Sequence, residues 1–350
     1  MLNARAVKYN LNFKKPAGTS RGVLTQKETW FIELYNSEHP ERKALGECGI
    51  LRGLSADDVP EYEQKIRETV KRINAPREEL DAELKEFPSI RAGLEAAFLD
   101  LDNGCEQKYF PSDFTCGKQS IAINGLIWMG SKESMLEQIS SKIKAGFNCI
   151  KMKIGAVDFE HELECIRYIR ERYSADKIEI RTDANGAFSP EDAPYKLEKL
   201  AQMDVHSIEQ PLKAGRIIAL RELCAKNLLP IALDEELIGV WDPIEKQELL
   251  DAINPHYIIL KPSLTGGFTA SKEWIDAADQ RGIGFWITSA LESNIGLNAI
   301  AQWTANTADN DFPQGLGTGG LYTNNIAGPT YIQNGRLHYN TDFEFQNPLS

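Results

Sequence analysis

From Ser120 onward one unit recurs in the chain: a short apolar run, then a stretch with helical spacing of its apolar residues. The runs are SIAINGLIW, IKMKI, IEIRTDA, SIEQP, IALDE, YIILKP and GFWITSA. They return about every 25 to 30 residues, the length of a βα unit. Segments such as SKESMLEQISSKIKAG and DFEHELECIRYIRERY supply the intervening helices. Short strands alternating with helices predict an α/β fold with a parallel sheet, and a series this long closes most naturally into a TIM-like barrel. The run QGLGTGG is a candidate for the eighth strand. An open doubly wound sheet is the alternative, but no GxGxxG or GxxxxGKS string opens any unit, so nothing points to a nucleotide.

Residues 1 to about 118 read differently. TWFIELY has strand character, and Asp57–Arg72 and Ile90–Asp102 have helical character. The string PAGTSRGVLTQKE is rich in Gly, Ser, Thr and Pro and reads as a loop. The expected organisation is an α+β domain over 1–118 and the barrel over 119–325. The tail from about 326 to 350 breaks the rhythm and is free to return to the first domain.

Composition excludes some functions. The formal net charge is 39 − 51 = −12, which gives no electrostatic reason to bind nucleic acid or an anionic membrane. Six scattered cysteines with no CxxC pair read as reduced thiols. The opening MLNARAVKYNLNF has no apolar leader segment. A cytoplasmic protein acting on a small molecule is the expectation, with homo-oligomerisation left open.

Barrel enzymes carry their chemistry at the C-terminal ends of the strands. Read in order, the second strand ends with Lys151 and Lys153, and the third with Asp183 and Asn185. The fourth ends with Glu209, the fifth with Asp234, Glu235 and Glu236, the sixth with Lys261, and the seventh with Ser289 and Glu292. Lys151 and Lys153 are two apart and so face the same side of their strand. Each feature alone has an ordinary explanation: a solvated KxK face, Asp183 in a turn, Asp234 capping a helix. Their occurrence together on consecutive strands does not. Three inward carboxylates repel one another unless a cation joins them, and an all-oxygen set without His or Cys suits Mg²⁺ or Mn²⁺ rather than Zn²⁺. His206 and His256 fall at strand beginnings, the face that carries stability.

The order KxK, DxN, EQP, DE, KPS resembles the muconate-lactonising-type subgroup of the enolase superfamily, and the resemblance spans nearly the whole chain. It implies a modified (β/α)7β barrel under an N-terminal α+β capping domain. It also implies that Asp183, Glu209 and Asp234 hold the metal, with Lys153 and Lys261 facing each other across the substrate and Lys151 beside the bound carboxylate. Sites of this superfamily use a Lys or His base with Mg²⁺, so the implied reaction begins with removal of a proton next to a carboxylate. Asn185 and Glu235 are candidates for support around the ligands.

Three outcomes of that step remain: dehydration, N-acylamino acid racemisation and dipeptide epimerisation. Dipeptide epimerases show an Asp-x-Asp pair at the eighth strand, where this chain has GLGTGG. TSALESNIGL resembles the E-S-x-x-G-L pattern of o-succinylbenzoate synthases. That resemblance implies a lyase of menaquinone synthesis, with Ser289 and Gly317 near a second substrate carboxylate. Ser20 and Arg21, in the presumed loop, are candidates for covering the site. A non-catalytic binding barrel is disfavoured because both lysines and all three acids are present.

Overall fold

The computed structural model describes residues 1–19, 22–155, 158–347 and 349. The chain begins with three antiparallel strands in the order β1-β2-β3: β1 (Leu2–Thr19), β2 (Gly22–Asn36) and β3 (His39–Cys48). β2 buries both faces. Trp30, Ile32 and Leu34 pack with Ile66, Leu80, Ile90 and Leu94 of the helices that follow, whereas Phe31 packs with Ile295 and Ile326 from later in the chain. Helix Tyr62–Lys71 falls within the stretch expected from sequence, and helix Pro88–Asp102 begins two residues ahead of the expected Ile90–Asp102. The second lies on β3 through two glycines: a Cβ on Gly46 would stand 1.9 Å from Gly93 O, and one on Gly93 would stand 2.6 Å from Cys48 Sγ.

The loop expected at PAGTSRGVLTQKE is not one. Its described residues are strand, paired in the register Leu11↔Lys27 and Ala17↔Leu24 with a bulge between Asn12 and Ala17. Two polar arms that satisfy each other's backbone need no apolar alternation, so composition alone reads them as loop.

Next come β4 (Ile121–Ala122), β5 (Gly125–Ile127), β6 (Cys149–Lys153), β7 (Glu179–Asp183), β8 (Ser207–Glu209), β9 (Ile231–Leu233), β10 (Tyr257–Leu260) and β11 (Gly284–Ile287). β5 to β11 form one parallel sheet of seven strands in chain order. The sheet curls, and the segment at Gln314–Gly315 runs between the residues just ahead of β5 and the end of β11. Gln314 N donates to Ala122 O and Gly315 N to Ile287 O, each at 2.8 Å. The helices between strands carry the end signals their sequences advertise. Asp158 accepts from Glu160 N at 2.9 Å ahead of Phe159–Arg170, and Asp242 accepts from Ile244 N at 2.8 Å ahead of Pro243–Ile253.

The run SIAINGLIW is divided rather than continuous. Its start, β4, joins an antiparallel sheet with β12 (Thr330–Gln333) and β13 (Arg336–Tyr339), in the order β12-β13-β4. The tail then runs back to the first sheet, where Asn347 Nδ2 donates to Glu33 at 2.7 Å and Arg5 Nη2 donates to Leu349 O at 2.5 Å. All six cysteines are free. Among the described residues no helix is long and apolar enough to cross a membrane.

Candidate active site

A parallel strand that is buried on both faces still alternates its side chains. In β6 this alternation sends Lys151 and Lys153 to one face while Ile150 and Met152 join the apolar core. The register of the sheet then sets Lys153 beside Asp183 and Asp183 beside Glu209. Asp234 follows β9 and Lys261 follows β10. Six charged groups predicted from strand ends therefore meet at one end of the parallel sheet, with Asp183, Glu209 and Asp234 no more than 3% exposed.

Lys153 Nζ donates to Asp183 Oδ2 at 2.6 Å and to Asn185 Oδ1 at 2.8 Å. Lys151 Nζ lies 3.1 Å from the same Asp183 oxygen and donates to Glu209 Oε2. At the far end of the row Lys261 donates to Asp234 Oδ2. Asn185 Nδ2 donates to Glu235 Oε1 at 2.9 Å, so both candidate supporting residues reach the site. Gln210, quoted in the EQP string but given no role, ties the fourth strand to the fifth. Its Oε1 accepts from Asp234 N at 3.1 Å, and its Nε2 donates to Glu236 at 3.1 Å.

The electrostatics follow from crowding. Burial pushes every acid up, but Lys151 and Lys153 outweigh it at Asp183 and hold that carboxyl well below its usual range. Glu209 is driven the other way, by burial and by the like charges of Asp183 and Asp234. Burial disfavours the charge on Lys151, yet Asp183 and Glu209 prevail and raise its pKa; Asp234 and Glu209 do the same for Lys261.

As placed, and among the described residues, no three acid, His or Cys side chains converge on one point. The carboxylates turn toward the lysines instead. Their chemistry nonetheless fits a hard divalent cation. All three are oxygen donors close enough to repel, and among the described residues Glu209 Oε1 is buried without a hydrogen-bond donor, its nearest cation being Lys261 Nζ at 3.8 Å, which leaves room for a cation to take it.

Above this row lies a cavity of about 350 Å³. Lys151, Lys153, Asn185 and Lys261 form its floor, and Ser289 and Gly317 also line it. Ser20 and Arg21 lie outside the described residues. Sequence reasoning missed Leu51, Arg52 and Leu54 from the first domain, as well as Asn124, Trp128, Thr288 and Thr318. Asn124 stands just before β5 and carried a findable signal. The first-domain residues carried none, because only long-range packing brings them here. His206 and His256 are not among the residues that line the cavity. His206 Nδ1 pairs with Ser207 Oγ at 2.9 Å, and His256 Nδ1 accepts from Ile231 N at 3.1 Å.

A curled parallel sheet whose strand ends carry a row of three acids between lysines, with residues of the α+β layer lining the cavity above them, defines a class of α/β enzyme. Residues 134–342 match the family described as enolase C-terminal domain-like, and the chain belongs to that family. It is 46% identical to an o-succinylbenzoate synthase of Desulfotalea psychrophila, over 94% of this chain and 96% of that one. The crystal structure of MenC from the same organism matches with a TM-score of 0.84 and 42% identity, over 96% of this chain and 99% of that one. A more distant relative, an N-succinylamino acid racemase of Amycolatopsis, is 26% identical over 62% of this chain and 57% of its own.

Proposed function

We propose that the protein is an o-succinylbenzoate synthase, removing water from 2-succinyl-6-hydroxy-2,4-cyclohexadiene-1-carboxylate in menaquinone synthesis. The observation that carries this is the pair Lys153 and Lys261 standing at the two ends of one carboxylate row beneath the cavity. The high identity to a synthase of that name, over nearly the full length of both chains, supports it.

Asp183, Glu209 and Asp234 would hold Mg²⁺ or Mn²⁺. The bound cation would draw charge from the substrate carboxylate and so make the neighbouring C–H acidic. Lys153 is the base: its neutral amine takes that proton, and the resulting ammonium returns a proton to the departing hydroxyl on the same face. Asn185 keeps Lys153 Nζ aimed along the strand. Lys261 stays protonated and stabilises the negative charge that builds up on the opposite face. Lys151, held between Asp183 and Glu209, adds a fixed positive charge beside the substrate carboxylate. With Lys153 neutral, the ammonium groups of Lys151 and Lys261 and the three carboxylates sum to minus one, so a dication would leave a net positive site for a carboxylate substrate. Loss of the proton and hydroxide makes the ring aromatic, so elimination is downhill once the proton has left.

We read the sheet as the modified (β/α)7β barrel, with Gln314–Gly315 as its last strand, and the domains as 1–118 and 119–325 with the tail returning to the first. The partner is a small-molecule carboxylate. The symmetric placement of Lys261 on Asp234 also favours a second reading, N-acylamino acid racemisation, in which both lysines transfer protons. Catalytic efficiencies on the cyclohexadiene and on N-acylamino acids decide between them. Lys261→Arg should keep part of the dehydration and lose racemisation. A wild type that racemises far better than it dehydrates overturns the synthase reading.

A further inference from the structure

The strand-end row that carries the catalytic charges does not stop at Lys261. Leu260 pairs with Ile287, and Lys261 and Thr288 are each one residue further on. Thr288 in turn bridges Gly315, and Gln314 bridges Ile123, so Asn124 comes beside Gly315 from the other side. The order across the closing side of the sheet is therefore Lys261, Thr288, Gly315, Asn124. Residues in register on neighbouring parallel strands, about 4.8 Å apart, send their side chains to the same face. Here that face is the cavity, which all four line. Alternation along the chain agrees: Ile123 and Ile127 join the apolar core, whereas Asn124, Leu126 and Trp128 line the cavity.

Gly315 leaves a gap in this row. A Cβ there would stand 2.3 Å from Thr288 Cγ2, so any side chain at that position would displace the threonine. The two side chains that flank the gap are buried and uncommitted. Asn124 and Thr288 are each 4% exposed, and Asn124 Oδ1 and Thr288 Oγ1 have no hydrogen-bond partner among the described residues. Buried polar groups in that state cost free energy unless something else pairs with them. The other Asn, Ser and Thr side chains of the cavity wall are taken. Asn185 holds Lys153 and Glu235. Ser289 Oγ donates to Glu292 Oε2 at 2.6 Å and accepts from Thr318 Oγ1 at 2.9 Å.

Asn124 and Thr288 carry no charge, and Lys261 separates them from the acids, so the pair suits an uncharged oxygen rather than a carboxylate or a metal. A threonine hydroxyl can donate one bond. An asparagine amide turns about its last torsion and can bring Nδ2 to the place where Oδ1 lacks a donor. Two donors on either side of a gap match the two lone pairs of a carbonyl oxygen. In the proposed reaction the reacting carbon lies between Lys153 and Lys261. The ring carbon next to it bears the succinyl ketone, which places the ketone oxygen within reach of the strand beside Lys261.

We propose that Asn124 and Thr288, on either side of Gly315, form a specificity subsite for the carbonyl oxygen of an acyl group attached next to the reacting carbon. That this carbonyl is the succinyl ketone rests on the synthase reading; the subsite itself does not. The probes are o-succinylbenzoate and its analogue with the ketone replaced by methylene. With Mg²⁺ present, calorimetry should show wild type binding the ketone about tenfold more tightly, the equivalent of one neutral hydrogen bond. In the full-length double variant Asn124→Leu, Thr288→Val the two ligands should bind alike, through weaker binding of the ketone. In urea without ligand, the double variant should be as stable as wild type or more so, because apolar side chains of similar shape replace polar groups that serve no bond of the fold. A less stable or unfolded double variant overturns the proposal, since the pair then serves the fold. A preference for the ketone that persists in the double variant, or is absent from a wild type that binds o-succinylbenzoate, overturns it too. A wild type that neither binds o-succinylbenzoate nor turns over the cyclohexadiene overturns the synthase reading instead. The subsite is then decided on an N-succinylamino acid, whose acyl carbonyl is also attached beside the reacting carbon: KM about tenfold higher in the double variant supports it, and equal KM overturns it.

Discussion

Asp183→Asn separates two pictures of the site. If the three acids were alone together, neutralising one would relieve repulsion and stabilise the fold. The structure places two ammonium groups on Asp183 instead, Lys153 at 2.6 Å and Lys151 at 3.1 Å, with the carboxylate fully buried. Lys151 keeps Glu209 in the variant, but Lys153 is left with the neutral Asn185. Removing one partner of a buried pair typically costs about 3 to 5 kcal/mol, because the remaining charge stays buried and uncompensated. We expect the low end, about 3 kcal/mol, since an amide oxygen can still accept one bond from Lys153. The measurement is urea unfolding at neutral pH in the presence of a chelator, comparing wild type with Asp183→Asn at equal slope. A variant as stable as wild type, or more stable, would refute the charge arrangement described here. In the same preparations turnover should be lost on adding metal back to the variant and regained in wild type.

Chelation of the wild type should abolish turnover and Mg²⁺ should restore it; full activity in a demonstrably metal-free sample sinks the assignment of the three acids. Lys153→Arg should remove detectable turnover, because a guanidinium does not give up its proton to become a base, and near-normal rates in that variant would exclude Lys153. Asp57, buried with Ser89 donating to it at 2.6 and 2.9 Å, has its pKa pushed up by burial from 3.8 to about 6. Its protonated form is favoured in the fold, so this contribution to stability is fully present below about pH 4 and is lost as pH rises through about 6. The stability advantage of wild type over Asp57→Asn should therefore shrink by about 2 kcal/mol from pH 4 to pH 7, and a difference independent of pH would contradict it.

Strand rhythm alone established the parallel sheet and located its strand ends, because a βα unit writes its period locally in the chain. Those ends named Lys151, Lys153, Asp183, Glu209, Asp234 and Lys261 before any contact was known, since alternation along a strand fixes which side chains share a face. Everything that depends on register or on distant packing stayed hidden. The polar hairpin arms around Ala17 and Leu24 read as loop because their partners are each other. Arg52 and Leu51 reach the cavity only because the first domain folds onto the strand ends. Which lysine holds which acid is decided by tertiary structure alone. Charge pairing in a buried site depends on distances of a few ångströms between segments far apart in sequence, and no local pattern encodes those distances.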